Sequence, residues 1–281
     1  MLGSTDLPPL PALAEQRGKL FTCLVELMRR LLAPDGCPWD REQDYESLRR
    51  YVLEEACEVI DAIDAGDFDQ LREELGDLAL QVAFLAELGR RDGHFGPDDV
   101  MRGICEKLIR RHPHVFGDVE VSGAADVVRN WEAIKREEKG GRNLLDSVPR
   151  SLPALERAQQ LTQKAARVGF DWPDAASVRA KVAEEIRELD AAVQQGDAAE
   201  LEHELGDVLF ALVNLARHHG VDAGSALRRS AERFADRFAH VEARVRARHG
   251  GWPTSPSGRP TRGVSLEELD GYWEEAKRER G

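Results

Sequence analysis

Residues 54–77 read EEACEVIDAIDAGDFDQLREELGD, and residues 184–207 read EEIRELDAAVQQGDAAELEHELGD. At a constant offset of 130 the two stretches share 11 of 24 residues without a gap. The identities include Glu54/Glu184, Glu55/Glu185, Glu58/Glu188, Gly66/Gly196, Asp67/Asp197 and the run Glu74-Leu75-Gly76-Asp77 against Glu204-Leu205-Gly206-Asp207. A looser match follows, in which Cys105-Glu106-Lys107 through Arg111 to His114 parallels Ala231-Glu232-Arg233 through Arg237 to His240. Each half then closes on Trp-x-x-x-Lys, at Trp131/Lys135 and Trp273/Lys277. Self-similarity of this kind marks one supersecondary unit used twice.

The spacing within the unit predicts a helical hairpin. Apolar residues recur at Val52, Ala56, Val59 and Ile63, then at Leu71, Leu75, Leu78, Val82 and Leu85. The second copy repeats them at Val182, Ile186, Leu189 and Val193, then Leu201, Leu205, Val208, Leu212 and Leu215. Steps of three and four are those of amphipathic helices with an apolar stripe turned to a core. Gly66-Asp67 and Gly196-Asp197 interrupt the pattern where a tight turn belongs.

The carboxylates are symmetric about that turn. Glu58 and Glu74 each lie eight residues from Gly66, and Glu55 and Asp77 each lie eleven. Folding two helices back on one another therefore sets Glu58 level with Glu74 and Glu55 level with Asp77. At ~100° per residue both pairs fall on the same side of the hairpin, beside the apolar stripe. Four like charges at that density repel by several kcal/mol when partly desolvated, so either some are protonated or cations sit among them. An all-carboxylate donor set is what hard ions such as Mg²⁺ or Mn²⁺ prefer.

The rest of the chain is consistent with two domains. Its 281 residues are long for one helical core. Lys139-Gly140-Gly141-Arg142 and the stretch from Pro149 to Pro153 break any helix, and four glycines and three prolines between Gly250 and Gly263 read as an exposed loop. The expected division is a Pro-rich extension over 1–20, a helical domain over 21–139, a linker over 140–153 and a second helical domain over 154–281. A net charge of −13 argues against a nucleic-acid partner, which calls for a basic face. No apolar run approaches the ~20 residues of a membrane span, and no secretory signal is visible, so a cytoplasmic address is expected. Cys23, Cys37, Cys57 and Cys105 form no CxxC pair and read as reduced thiols.

The pattern E-E-x-x-E, a gap, then E-x-x-D resembles the signature of the all-α nucleoside triphosphate pyrophosphohydrolases of the MazG type. The resemblance extends to Gly36-Cys37-Pro38-Trp39-Asp40, Arg110-Arg111-His112-Pro113-His114-Val115-Phe116, the Pro149-to-Leu155 stretch and Val168-Gly169-Phe170-Asp171-Trp172. It implies an all-α fold of two tandem helical bundles, hydrolysis of NTPs or dNTPs to monophosphate and pyrophosphate with Mg²⁺, and a homodimer. Carried over by motif, Glu55, Glu58, Glu74 and Asp77 would ligate metal at one site, and Glu185, Glu188, Glu204 and Asp207 at the other. Glu54 and Glu184 would orient a ligand or the attacking water.

Basic residues must complete the grip on phosphate. Lys181 stands one turn before Glu185, Arg233 and Arg237 follow on a later helix, and Lys277 comes last; Lys107, Arg111 and Lys135 are the first-half counterparts. Trp131 and Trp273 are candidates for stacking on a base. The halves differ: Tyr51 stands where the second has Lys181, and Glu73 where it has His203. Two other readings start from the same residues: a non-enzymatic helical protein whose acids hold metal for structure, and a pyrophosphohydrolase with a narrow substrate such as dUTP or a damaged nucleotide. A ferritin-like oxidase would need paired E-x-x-H motifs, and only Glu200-x-x-His203 lies near a hairpin.

Overall fold

The computed structural model describes residues 19–138, 143–252 and 263–280, and all regular structure among them is helical. Most of the expected Pro-rich extension (1–18), the last residue of the expected first domain with the start of the expected linker (139–142), and most of the Pro/Gly-rich loop (253–262) lie outside the described residues. The chain divides into two compact units, 1–140 and 141–281.

The first unit runs α1 (Lys19–Leu31), α2 (Pro38–Glu42), α3 (Tyr45–Ala65), α4 (Phe68–Arg91), α5 (Pro97–Arg111), α6 (Pro113–Phe116) and α7 (Ala124–Glu138). The second opens with a 3-10 turn at Leu144–Ser147. Then follow α8 (Ala154–Ala166), α9 (Ala175–Gln195), α10 (Ala198–His218), α11 (Ala223–His249) and α12 (Leu266–Arg280).

The repeated sequence becomes the hairpins α3–α4 and α9–α10, and local chemistry explains each boundary. The Asp44 side chain accepts from the Ser47 N–H at 2.8 Å while the Ser47 hydroxyl accepts from the Asp44 N–H at 3.0 Å, so α3 starts on a reciprocal cap. Gly66 ends α3 at φ 69° in the left-handed region, where a side chain would be strained. Asp67 immediately caps α4 by accepting from the N–H groups of Asp69 and Gln70, both at 3.0 Å. The second copy repeats the device with Gly196 at φ 72° and Asp197 accepting from the Ala199 N–H at 2.9 Å.

Within the first unit α1 packs on α4, and Val25, Met28, Leu48, Ala83, Phe84 and Leu88 form the core. Within the second, α8 packs on α10 and α11, and α11 on α12, burying Val178, Val208, Val213, Val241 and Val245 among others. The apolar stripes of the hairpins are only partly enclosed. Ala62, Val182 and Val208 are buried, yet Ile63 is 57% exposed, Leu75 50%, Val193 59% and Leu205 48%. The expectation that each stripe faces its own core therefore needs correction. Two helices cover only their line of contact, and α1 or α8 covers one further side, so the remaining apolar face is left open by the helices of its own unit.

Candidate active site

Each hairpin gathers three carboxylates. In the first, Glu55 and Glu58 of α3 and Glu74 of α4 each offer one oxygen, and these lie within 4.8 Å of one another. In the second, Glu185 and Glu188 of α9 and Glu204 of α10 do the same within the same limit. The acid symmetry about Gly66 and Gly196 is what brings together side chains 16 residues apart in sequence (74 − 58 and 204 − 188). The fourth expected ligands, Asp77 and Asp207, stand outside these triads. Asp77 still acts on Glu55, whose carboxyl is pushed above its ordinary range by loss of water first and then by the charges of Asp77, Glu58 and Glu74. Asp207 instead faces His203, with Nε2 3.5 Å from its carboxylate.

The second cluster differs by a cation of its own. The Lys181 ammonium donates to Oε1 of Glu184 at 2.6 Å and lies 2.8 Å from Oε1 of Glu185. Those contacts raise the Lys181 pKa, Glu184 first, and lower that of Glu184. Glu188 is pushed up by desolvation and then by its hydrogen bond with Glu185. Glu185 itself is buried, at 6% exposure. Glu54 is exposed on α3, one residue from the first triad.

One arginine meets the expected tryptophan in each unit. Arg111 lies 6.0 Å and Lys135 5.5 Å from the Trp131 ring. Arg237 lies 6.0 Å from the Trp273 ring, which also packs against Phe234 at 5.2 Å. These groups make salt bridges of their own: the Arg111 Nε donates to Glu138 at 3.1 Å, and Lys277 to Glu274 at 2.6 Å. Lys107 is half-buried on α5 and Arg233 exposed on α11. Among the expected basic residues, Lys181 makes a salt bridge to a metal-ligand candidate, Glu185.

A cavity of about 560 Å³ opens in the second unit, with Phe170, Trp172, Phe210, Asn214 and Arg217 among its walls. Phe170 and Trp172 belong to the Val168-to-Trp172 stretch of the sequence, whereas Phe210, Asn214 and Arg217 carry no sequence signal of a shared wall. Asp171 joins this wall to α10: its carboxylate accepts from Arg217 Nη1 at 3.0 Å and lies 3.0 Å from His218 Nε2. Arg217 Nε donates in turn to the Asn214 Oδ1 at 2.9 Å. Asp171 stands out in the Gly169-Phe170-Asp171-Trp172 motif, but nothing in the sequence marks its partner 46 residues later.

The MazG nucleotide pyrophosphohydrolase domain matches the chain twice, over residues 43–116 and 174–242, and each match contains one acid triad. The chain is 46% identical over 262 residues to the nucleoside triphosphate pyrophosphohydrolase of Escherichia coli (strain K12), covering 91% of this chain and 96% of that protein. It is 42% identical over 265 residues to the nucleoside triphosphate pyrophosphohydrolase/pyrophosphatase MazG of Thermotoga maritima, covering 94% and 98% respectively. It is also 44% identical over 260 residues to the uncharacterized protein YabN of Bacillus subtilis, covering 92% of this chain and 51% of that one. With the domain matched in both halves and relatives aligned along almost its whole length, the chain belongs to the MazG nucleotide pyrophosphohydrolase family.

Proposed function

We propose that the chain hydrolyses nucleoside triphosphates, ribo and deoxyribo, to the monophosphate and pyrophosphate, as a cytoplasmic enzyme of the nucleotide pool. The observation that carries this reading is the carboxylate triad built twice, each time inside a MazG match. Three mutually repelling oxygens within 4.8 Å are a donor set suited to a hard divalent cation. Glu55, Glu58, Glu74 and Asp77 would hold one Mg²⁺, or Mn²⁺ in its place, and Glu185, Glu188, Glu204 and Asp207 another. When bound, the cation supplies charge neutralisation at the phosphate oxygens and a more acidic water.

The chain's own groups do the rest. Lys181, Arg233, Arg237 and Lys277 bind the triphosphate in the second half, and Lys107, Arg111 and Lys135 in the first. Trp131 and Trp273 offer ring faces to the base. Glu184, and Glu54 in the first half, orient the attacking water and accept its proton. Attack at the α-phosphorus breaks its bond to the bridging oxygen, and pyrophosphate leaves. The halves are joined through 140–153, and the active form is a homodimer without nucleic acid or membrane. The open apolar faces of α3–α4 and α9–α10 support that assembly.

The test is incubation with the eight common NTPs and dNTPs and Mg²⁺, with and without EDTA, followed by separation of products. Monophosphate plus pyrophosphate, abolished by EDTA, is the expected result; diphosphate plus orthophosphate overturns it. In ¹⁸O-water the label enters the monophosphate for α attack and pyrophosphate for β attack. Light scattering checks the dimer.

A further inference from the structure

The two acid clusters have the same spacing and different electrostatics. Around the first, among the described residues, no salt bridge reaches Glu55, Glu58 or Glu74. The residue in the position of Lys181 is Tyr51, and its neighbour Arg50 is drawn to the Tyr51 ring, 4.5 Å from the centroid, rather than to the acids. Around the second, the Lys181 ammonium sits 2.6 Å from Glu184 and 2.8 Å from Glu185, and Glu185 is the most enclosed acid of its triad. A fixed positive charge there engages an oxygen that a divalent ion would use, and repels that ion at short range.

We propose that Lys181 is a resident counter-cation of the second cluster, so that in the nucleotide-free protein a divalent ion loads Glu55, Glu58 and Glu74 ahead of Glu185, Glu188 and Glu204. This rests on the reading of both clusters as cation sites and adds an order to them. The first cluster has no salt bridge among the described residues to offset its repulsion, and takes a divalent ion more readily. The second is already partly neutralised, and its ion must displace the ammonium from Glu185. Lys181 is thereby a positioning residue for the carboxylates as well as a candidate phosphate ligand. A triphosphate that draws the ammonium away frees the carboxylates in the same event.

The experiment is a Mn²⁺ titration of the full chain without nucleotide, following free Mn²⁺ by electron paramagnetic resonance. The wild type is expected to show two classes of site differing by about tenfold or more in dissociation constant. Glu58→Gln should remove the tight class and Glu188→Gln the weak one. Lys181→Met should tighten the weak class by about tenfold, Lys181→Gln should act in the same direction, and Tyr51→Lys should loosen the tight class. Helical circular dichroism and melting establish that each variant is folded. Two equal classes, loss of the tight class in Glu188→Gln, or an unchanged weak class in both Lys181 variants overturns the proposal. If neither Glu58→Gln nor Glu188→Gln removes any bound Mn²⁺, the reading of the clusters as cation sites fails with it.

Discussion

Arg217 Nη1 donates to the Asp171 carboxylate across 3.0 Å, tying the segment between α8 and α9 to the last turn of α10, 46 residues on. The same guanidinium donates to Asn214, so the wall of the cavity beside Trp172 is set by one ionic network. Both side chains are largely enclosed, at 13% and 27% exposure. Arg217→Ala is expected to cost about 1–3 kcal/mol in urea denaturation, because it strands a partly buried carboxylate.

The pH dependence of that loss has a definite sign. Arg217 first, and then His218, hold the Asp171 carboxyl below its ordinary value of 3.8. A carboxyl lowered in the folded state adds stability that is present above its unfolded pKa and is lost as pH falls through the folded one. The gap in melting temperature between wild type and Arg217→Ala should therefore be full at neutral pH and shrink below about pH 4. A gap that widens on acidification would contradict the assignment.

Glu138 offers a second, site-resolved titration. Arg111 and then Arg110 pull its carboxyl from the usual 4.5 down to about 2. Its pairing is accordingly complete at neutral pH and is lost only as pH falls from about 4.5 toward 2. Carboxyl-detected NMR should find its midpoint well below those of exposed glutamates, and Arg111→Gln should move it back upward.

The hairpin turns are tested by alanine. Gly66 and Gly196 hold φ of 69° and 72°, and a Cβ built on either meets nothing within 4 Å. Gly66→Ala and Gly196→Ala should each cost about 1–2 kcal/mol through backbone strain alone, read from the denaturation midpoint. Free space means that no repacking adds to this figure.

Turnover tests the triads. Glu188→Gln combined with Glu58→Gln should lower the metal-dependent rate by about 10²-fold or more while leaving the helical signal unchanged. Either single variant, set against the other, shows how the rate divides between the two halves. A double variant with wild-type turnover would remove the carboxylates from the mechanism.

Much of this is legible in the amino-acid sequence. The 3.6-residue period and the Gly-Asp pairs located both hairpins, because amphipathicity and left-handed caps are local properties. The distances of Glu58 and Glu74 from Gly66 anticipated their meeting. The same count also set Asp77 level with Glu55, but the triad formed from Glu55, Glu58 and Glu74. Level along two axes is a weaker condition than close, since it leaves the rotation of each helix about its axis open. Lys181 was legible as a basic residue one turn before Glu185, and its hold on Glu184 was not.

The sequence by itself determined an all-α chain, its duplication, its turns and the residue types of two acid-lined hairpins. All of these follow from the order of neighbours along a helix. Only the tertiary structure decided which acids touch, that Asp171 finds Arg217, that the stripes carrying Ile63 and Val193 lie open, and that the two clusters carry unequal charge. Those are relations between segments, fixed by how helices roll against one another, and a linear period contains no information on that angle.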